Sequence, residues 1–260
     1  MTSPGRGGLL ARLGRLVPGQ SALEALQSAE ADPRLRAFLE KESLRLARMS
    51  RHEAFGEPRE VLVAGADEVG RGPMAGPLVA AAVAFRSVPW IPGLRDSKKL
   101  QPEEREALVP WIQAQAVSWA VTVVSVEELN EPRGTLHSHS LAAMRACVER
   151  LSPRPDRLLV DGRFPVDALD LPQKAVVKGD DACVTVAAAS VLAKVHRDGL
   201  MTELDRVWPG YGFARHKGYC TPDHLEALQR LGPCPVHRAR FARVRERLAP
   251  AIQGTLGFED

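Results

Sequence analysis

The sequence predicts an α/β fold in which a five-stranded mixed sheet is flanked by helices, with an N-terminal helical extension and a helical C-terminal region. Three observations lead to this prediction. Apolar runs of strand length, rich in valine and leucine, recur from residue 61 onward. The first two runs are joined by a short connection containing glycine and proline, which favours a hairpin. The later runs alternate with helical stretches, which favours parallel pairing through crossovers.

Residues 1–60 are predicted to form the helical extension and a linker. A start rich in glycine and arginine is followed by a stretch whose apolar residues have helical spacing and which ends in Gly-Glu-Pro. The basic residues of this extension could contact nucleic acid, although a solvated amphipathic face explains them without any partner.

The core is predicted to span residues 61–220, followed by a helical C-terminal region at 221–250 and a flexible tail at 251–260. The five strands are expected at residues 61–66, 78–85, 117–124, 157–160 and 175–177. The main helices of this part of the chain are expected at residues 101–115, 139–151, 184–208 and 221–232. In the last of these, Thr221 has the side chain of an N-cap and Pro222 stands at the first helical position.

The composition indicates a globular protein with one substantial core. No window approaches roughly 20 uninterrupted apolar residues, and the apolar run near the N-terminus is too short for a secretory signal, so we expect a cytoplasmic protein with no membrane partner. The four cysteines lack metal-ligand spacing and are expected to be free thiols. The formal net charge of +3, from 35 Lys+Arg against 32 Asp+Glu, permits a nucleic-acid partner without requiring one. A monomer is expected.

Four acidic residues lie where the predicted strands end. Asp67 and Glu68 end the first strand, Asp161 ends the fourth, and Asp180 ends the fifth. Because the carboxyl ends of parallel strands share one edge of an open α/β sheet, we expect these side chains to converge. Clustered carboxylates repel one another unless cations lie among them, and oxygen ligands suit Mg²⁺ or Mn²⁺. Two such ions can hold the attacking water and the leaving oxygen of a phosphodiester, so the pattern indicates phosphodiester hydrolysis.

Simpler interpretations remain open for each acid. Asp161 precedes a glycine and could be an ordinary turn residue. Asp180 and Asp181 precede an apolar helix and could be an N-cap and a first-turn acid. Successive side chains of a strand face opposite ways. Asp67 and Glu68 therefore cannot both point at one site unless the strand ends there, or unless Glu68 acts through its backbone carbonyl or a water.

Six separated motifs then indicate a family. They are AGADEVGRGPMAGPLVAAAV, DSKKL, LLVDGR, VVKGDD, AAASVLAKVHRD and YGFARHKGY. In this order and spacing they resemble bacterial ribonuclease HII over about residues 61–245. The resemblance implies a ribonuclease H-like fold and cleavage, dependent on Mg²⁺ or Mn²⁺, of RNA strands paired with DNA. It also implies incision of duplex DNA on the 5′ side of a single embedded ribonucleotide, leaving 3′-hydroxyl and 5′-phosphate ends.

The resemblance also implies roles for individual residues. Asp67, Glu68, Asp161 and Asp180 match the four acids of the family's metal site. Asp180 is preferred to its neighbour Asp181 because the family pattern is Lys-Gly-Asp.

A second group of residues matches the family's substrate-recognition positions. Gly70, Arg71 and Gly72 match a turn whose backbone approaches the 2′-hydroxyl, which is possible only where no side chain blocks the way. Tyr219 matches the aromatic residue that packs on the sugar at the junction between the ribonucleotide and the next deoxynucleotide. Without the resemblance, a tight hairpin with positive φ and a half-buried aromatic would explain these residues. Further candidates for phosphate contacts are Lys98, Lys99, Lys178, Lys194, His216 and Lys217.

The chain departs from the family pattern in the middle and at its ends. About five extra residues follow Asn130, and the extension of residues 1–60 is longer than in the shortest members. Near the C-terminus, Gln253, Leu256 and Phe258 fit the loose spacing of peptides that bind a sliding clamp, whereas a disordered tail explains the same residues.

Two other classes of function compete with this interpretation. Another nuclease of ribonuclease H-like fold, such as a resolvase or a DEDD exonuclease, does not account for the glycine-rich motif that directly follows Asp67 and Glu68. A non-catalytic module that only binds hybrids would not need all the expected acids. The sequence therefore favours an endonuclease resembling ribonuclease HII.

Overall fold

The computed structural model describes residues 8–50 and 61–248. The first three helices are α1 (Gly8–Leu13), α2 (Ala22–Ser28) and α3 (Pro33–Met49). The strands are β1 (Val63–Val69), β2 (Leu78–Phe85), β3 (Ser118–Val124), β4 (Arg157–Asp161) and β5 (Gln173–Val176). The remaining helices are α4 (Pro102–Gln115), α5 (Val126–Asn130), α6 (Leu136–Glu149), α7 (Gly179–Ala182), α8 (Val184–Val207), α9 (Phe213–His216), α10 (Pro222–Leu231) and α11 (Ala242–Leu248).

The five strands form one mixed sheet in the order β3-β2-β1-β4-β5, so the predicted fold class is confirmed. β1 and β4 are parallel neighbours, with Ala66 opposite Val160. β4 and β5 are also parallel, with Asp161 opposite Val176. Because parallel strands end at the same edge of a sheet, the residues that follow Ala66 lie beside those that follow Val160.

The strand boundaries differ from the predictions where the acids lie. The bounds of β2 are confirmed, and β3 and β4 differ only at one end. The prediction that the first strand stops before Asp67 is wrong, because β1 begins at Val63 and runs through Asp67 to Val69. Asp180 does not end β5 but lies beyond it, in α7. Hydrogen bonding to neighbouring strands decides where a strand ends, and the local apolar pattern does not contain that information.

The centre of β1 packs directly on the first turn of α8. A Cβ atom on Gly65 would lie 2.5 Å from both the Thr185 carbonyl oxygen and the Val186 amide nitrogen, so no larger residue fits there. Beside this contact lies a small apolar cluster made of Val63, Leu159, Val176, Cys183 and Val186. The start of α8 is therefore fixed against the strand that carries Asp67.

The chain divides into two compact units. The first comprises Met1–Glu68, Ala80–Thr122 and Leu141–Val195. Within it the N-terminal extension packs through α3. Glu42 accepts a hydrogen bond from the Gly93 amide at 2.8 Å, and α3 lies against α7.

The second unit comprises Val69–Val79, Val123–Ser140 and His196–Asp260. Its described part has a core formed by Ala75, Met201, Tyr211, Phe213, Ala227 and Cys234. The predicted cap of α10 is confirmed, since the Thr221 hydroxyl accepts from the His224 amide and Pro222 stands in the first turn.

All four cysteines are free thiols, and only Cys220 is exposed. Among the described residues no helix combines the length and apolarity needed to cross a membrane.

Candidate active site

Asp67 is a buried residue near the carboxyl end of β1, with only 4% of its surface exposed. One of its oxygens accepts the Glu68 amide at 2.8 Å, and the Ser190 hydroxyl of α8 forms a second hydrogen bond. Ser190 in turn contacts the Ser97 hydroxyl at 3.0 Å. Burial, followed by the charges of Asp161 and Glu68, raises the pKa of Asp67 well above its ordinary value.

Asp161 ends β4, the strand beside β1. Its Oδ1 accepts the Gly179 amide at 2.7 Å, which ties the end of β4 to the start of α7. Burial and then the charge of Asp180 raise the pKa of Asp161, although the Gly179 hydrogen bond opposes the shift. Both acids therefore resist ionisation for the same reason, because other carboxylates lie near them in a poorly hydrated place.

Asp180 lies in the first turn of α7 and is 5% exposed. Its Oδ2 accepts Lys98 Nζ at 2.9 Å. Burial lowers the pKa of Lys98, but the hydrogen bond and charge of Asp180 outweigh this and raise it above its ordinary value. Asp181 instead pairs with Lys99 at 2.5 Å on the exposed side. The buried member of this acidic pair is thus Asp180.

The residue before α7 has an unusual backbone. Lys178 adopts the left-handed conformation, with φ of 57°, and the following Gly179 is buried. A Cβ atom on Gly179 would lie 3.1 Å from Val186 Cγ1 and 3.4 Å from Asp161 Oδ1. This sharp turn brings the Asp180 side chain back toward the end of β4.

Glu68 follows Asp67 inside β1 and is half-buried. Because the strand continues through both residues, their side chains leave the sheet on opposite faces. The charge of Glu68 nevertheless contributes to the raised pKa of Asp67. Of the expected acids, the structure brings Asp67, Asp161 and Asp180 into one electrostatic cluster, with Glu68 at its side.

The acids match a hard divalent cation in donor chemistry but are not preassembled around one. Asp67, Asp161 and Asp180 offer carboxylate oxygens, and their mutual repulsion is the kind that a bound cation relieves. In residues 8–50 and 61–248 no three acidic, histidine or cysteine side chains stand close enough to hold an ion as they are. A cation would therefore have to draw the carboxylates together, and Lys98 holds one oxygen of Asp180 in the meantime.

The glycine-rich turn, residues 70–77, lies in the second unit, and two of its glycines, Gly70 and Gly72, have different roles. Gly70 has a φ of 97°, and a Cβ atom there would lie 2.8 Å from both Arg197 Cδ and the Pro77 carbonyl oxygen. The hairpin explanation is thus sufficient for Gly70. For Gly72 it is wrong, since Gly72 is not in the positive-φ region and a Cβ atom would meet only Tyr219 Cε1, at 3.5 Å.

Two buried arginines that sequence reasoning missed hold this turn from within. Arg197 donates to the carbonyl oxygens of Pro77 at 2.9 Å and Ala75 at 3.3 Å. Arg238 donates to those of Gly76 at 2.8 Å and Arg71 at 3.3 Å. The available signal was the position of Arg197, one helical turn before the buried Met201, on the apolar face of a helix.

Tyr219 has a fixed backbone and an accessible ring. Its amide donates to the His216 carbonyl at 2.9 Å, and its carbonyl accepts from the Thr221 amide at 2.9 Å and from His224 Nδ1 at 2.8 Å. The residue is 43% exposed, beside Gly72. The structure therefore brings Tyr219 and the exposed part of the turn together.

His216 and Lys217, two of the residues expected to contact phosphate, form hydrogen bonds within the protein instead. His216 is buried, with one ring nitrogen hydrogen-bonded to the Tyr211 carbonyl and the other to the Gly218 amide, so that prediction is wrong. The Lys217 amine donates to the Asp198 carbonyl and to the Thr202 hydroxyl.

Comparison with known proteins shows which family the chain resembles. The family model described as Ribonuclease HII matches residues 64–244. A curated Ribonuclease HII from Geobacillus kaustophilus is 50% identical over 74% of this chain and 72% of its own length. The crystal structure of ribonuclease H2 from Pyrococcus horikoshii superposes with a TM-score of 0.63 at 26% identity, covering 71% of this chain and 96% of that one. The structure of the PCNA:RNase HII complex from Archaeoglobus fulgidus superposes with a TM-score of 0.61 at 29% identity, covering 70% of this chain and 95% of that one.

Proposed function

Because the chain belongs to the ribonuclease HII family, and is therefore a hydrolase with ribonuclease H activity on RNA/DNA, we propose that it also incises on the 5′ side of single ribonucleotides in duplex DNA. The observation that carries the proposal is the buried Asp67, whose pKa is raised by burial and then by the charges of the neighbouring acids Asp161 and Glu68. Acidic groups that cluster and shift one another's pKa values in this way mark a candidate functional site. The cleavage would leave 5′-phosphate and 3′-hydroxyl ends.

Asp67, Glu68, Asp161 and Asp180 would hold divalent cations, Mn²⁺ or Mg²⁺. Bound there, such ions supply activation of water and neutralisation of charge on the leaving oxygen. The protein's own part is to orient the oxygens. Ser190 and the Glu68 amide hydrogen-bond Asp67, and the Gly179 amide donates to Asp161 Oδ1 at 2.7 Å, so both carboxylates are oriented by the protein.

Recognition of the ribonucleotide would fall to the second unit. The exposed backbone at Gly72 would approach the 2′-hydroxyl, with Arg71 beside it on the exposed turn and Gly70 forming the bend. The accessible ring of Tyr219 would pack on the sugar of the junction. A Cβ atom on Gly72 would lie only 3.5 Å from the Tyr219 ring, and this closeness supports a shared role for the two residues.

The test uses a DNA duplex with one ribonucleotide, incubated with the full chain and Mg²⁺ or Mn²⁺. We expect incision on the 5′ side of the ribonucleotide, no incision of an all-DNA duplex, and loss of activity in Asp67→Asn, Asp161→Asn and Asp180→Asn. Asp181→Asn is the matched control, because Asp181 is an exposed neighbour paired with Lys99. Equal cutting of the all-DNA duplex, or equal loss in Asp181→Asn and Asp180→Asn, would refute the assignment.

We also propose a sliding clamp as partner and a cytoplasmic location. The relative from Archaeoglobus fulgidus was solved as a PCNA complex, and Gln253, Leu256 and Phe258 of this chain have the spacing of a clamp-binding peptide. These residues lie outside the described part of the structure. Deleting residues 253–260 should abolish clamp binding in a pull-down while incision of free duplex is kept. Binding that survives the deletion contradicts the proposal.

The four free cysteines support the proposed cytoplasmic location, because free thiols are typical of a reducing compartment.

A further inference from the structure

Three buried histidines of the second unit take no part in the proposed chemistry. His216, His224 and His237 are each at most 8% exposed. The rings of His216 and His224 stack at 4.2 Å, and Phe213 presents its ring to both of them. A cluster of this kind needs an explanation, because histidine is seldom buried without a specific hydrogen-bond partner for each ring nitrogen.

The hydrogen bonds assign a proton to each ring of the linked pair. A carbonyl oxygen can only accept, so His224 Nδ1, at 2.8 Å from the Tyr219 carbonyl, carries the proton. Because burial lowers the pKa of His224 to about 4, its ring is neutral at pH 7.5 and Nε2 is an acceptor, so His237 Nε2, 3.2 Å away, donates to it. This leaves His237 Nδ1 to accept the Cys234 amide at 3.0 Å. The result is a one-directional chain from Cys234 through His237 and His224 to Tyr219, with both rings neutral.

One end of this chain is attached to the glycine-rich turn. The backbone of His237 forms an antiparallel bridge with Ala75. On either side of it, the Gly76 amide donates to the Val236 carbonyl at 2.8 Å and the Arg238 amide donates to the Met74 carbonyl at 2.9 Å. Residues 236–238 are therefore hydrogen-bonded to residues 74–76 of the turn.

The other end of the chain is the backbone of Tyr219. The His224 ring donates to the Tyr219 carbonyl, and helix α10 holds the His224 backbone through the Thr221 cap. The Tyr219 ring itself is 43% exposed and next to Gly72, so backbone bonds rather than ring packing set much of its position. The two histidines thus connect the turn to the tyrosine across the core of the unit.

We propose that His224 and His237 are positioning residues that hold Tyr219 at a fixed distance from Gly72 and so determine how well a ribonucleotide is distinguished from a deoxynucleotide. This inference rests on the proposed function of Gly72 and Tyr219. A gap of fixed width between a backbone edge and an aromatic ring selects a sugar only if the two sides cannot drift apart. The neutral histidine pair adds to that rigidity through directional hydrogen bonds, beside the hydrogen bond that the Met74 amide donates to the Gly218 carbonyl at 2.9 Å.

The first test needs no variant. Nitrogen-15 NMR of histidine-labelled protein at pH 7.5 reports the tautomer of each ring. We expect His224 as the Nδ1–H form and His237 as the Nε2–H form, both neutral. An Nε2–H tautomer at His224, or a charged ring at either residue, overturns the chain of hydrogen bonds and the proposal with it.

The second test is a double-mutant cycle on the duplex with one ribonucleotide. His224→Leu should lower kcat/KM roughly tenfold in the parent chain, as expected for loss of one buried hydrogen bond, and less than about twofold in the Tyr219→Ala background. His224→Asn keeps a donor near the Nδ1 position and should restore most of the activity. His196→Leu, at an exposed histidine of the same unit, is the control for the substitution itself.

The outcomes separate the two hypotheses. If the parent chain fails to incise the ribonucleotide duplex, the proposed function is wrong. If the parent chain is active but His224→Leu and Tyr219→Ala act additively, or His224→Asn is no better than His224→Leu, only the positioning role is wrong. Additivity is what a general loss of folding would produce, because such a loss does not depend on Tyr219.

Discussion

Mild acid should destabilise the protein through the buried histidine pair. Burial lowers the pKa of His224 and of His237 from 6.5 to about 4, even though the hydrogen bond that the His224 ring donates to the Tyr219 carbonyl opposes the shift. Between pH 6.5 and 4 the unfolded chain therefore binds protons that the folded chain does not. The contribution of the two neutral histidines to the free energy of unfolding is complete above pH 6.5 and is lost as the pH falls toward 4.

The size of the effect follows from the two pKa values. For one histidine with a pKa of 6.5 when unfolded and about 4 when folded, the free energy of unfolding falls by about 2 kcal/mol between pH 8 and pH 5. Two histidines give at most twice this amount, and less if breaking their shared hydrogen bond at 3.2 Å releases both rings together.

The acids of the candidate site act in the opposite direction. Because the pKa values of Asp67 and Asp161 are raised in the folded chain, their protonation favours folding as the pH falls. The pH profile of the parent chain alone would therefore understate the histidine contribution, and a comparison with a variant is required.

The assay is urea denaturation, followed by circular dichroism, of the parent chain and of His224→Asn at pH 8, 6.5 and 5. The variant has one titrating ring fewer, so the stability advantage of the parent chain should shrink by about 2 kcal/mol from pH 8 to pH 5. His196→Asn, at an exposed position, controls for the change of residue type. Parallel pH profiles for the parent chain and His224→Asn would refute the reasoning, because they would mean that His224 does not resist protonation in the folded state.

Three further predictions follow from single contacts. Gly72→Ala should leave the urea midpoint nearly unchanged, because the new Cβ would only touch the Tyr219 ring at 3.5 Å. The same variant should lower kcat/KM on the ribonucleotide duplex about tenfold. Gly199→Ala is the control and should keep full activity, because a Cβ atom there meets nothing within 4 Å. Asp67→Asn should raise the free energy of unfolding at pH 8 while abolishing incision, since a buried charge near other acids is removed; a less stable variant would contradict this account of the cluster. Lys178→Gly should stabilise the chain by about 1 kcal/mol in urea denaturation by relieving the left-handed φ of 57°, and an unchanged midpoint would show that the turn carries no strain.

The sequence was sufficient to predict the elements whose burial alone determines them. β2, buried along its whole length, has the predicted bounds, and the cap of α10 is confirmed at Thr221. The end of β1 was not predictable in the same way, since its continuation through Asp67 depends on hydrogen bonds to neighbouring strands. Local patterns report propensity and burial, but they do not report which strand lies alongside.

The same division holds within the candidate site. The sequence led to Asp67 and Asp161, because parallel strands bring their carboxyl ends together, and to Asp180 through the Lys-Gly-Asp pattern of the family it resembles. It did not lead to Arg197, whose partners are backbone carbonyl groups of a distant segment, or to His224, whose ring donates to the Tyr219 carbonyl. Every residue has a backbone carbonyl group, so the residue types do not show which carbonyl an arginine or histidine will bind. Spacing rules for oppositely charged side chains therefore cannot detect such a contact.

The glycines of the segment from β1 through the turn show which residues the fold explains and which it does not. Gly65 is required by the contact of β1 with α8, and Gly70 by its φ of 97° and the adjacent Arg197. Gly72 has neither constraint, since a methyl group would fit against Tyr219 without strain. A glycine that the chain could replace at no cost to folding is best explained by a ligand that needs the space. Gly72 is therefore the position at which recognition, and not stability, accounts for the residue, and it is where substitution should separate the two most cleanly.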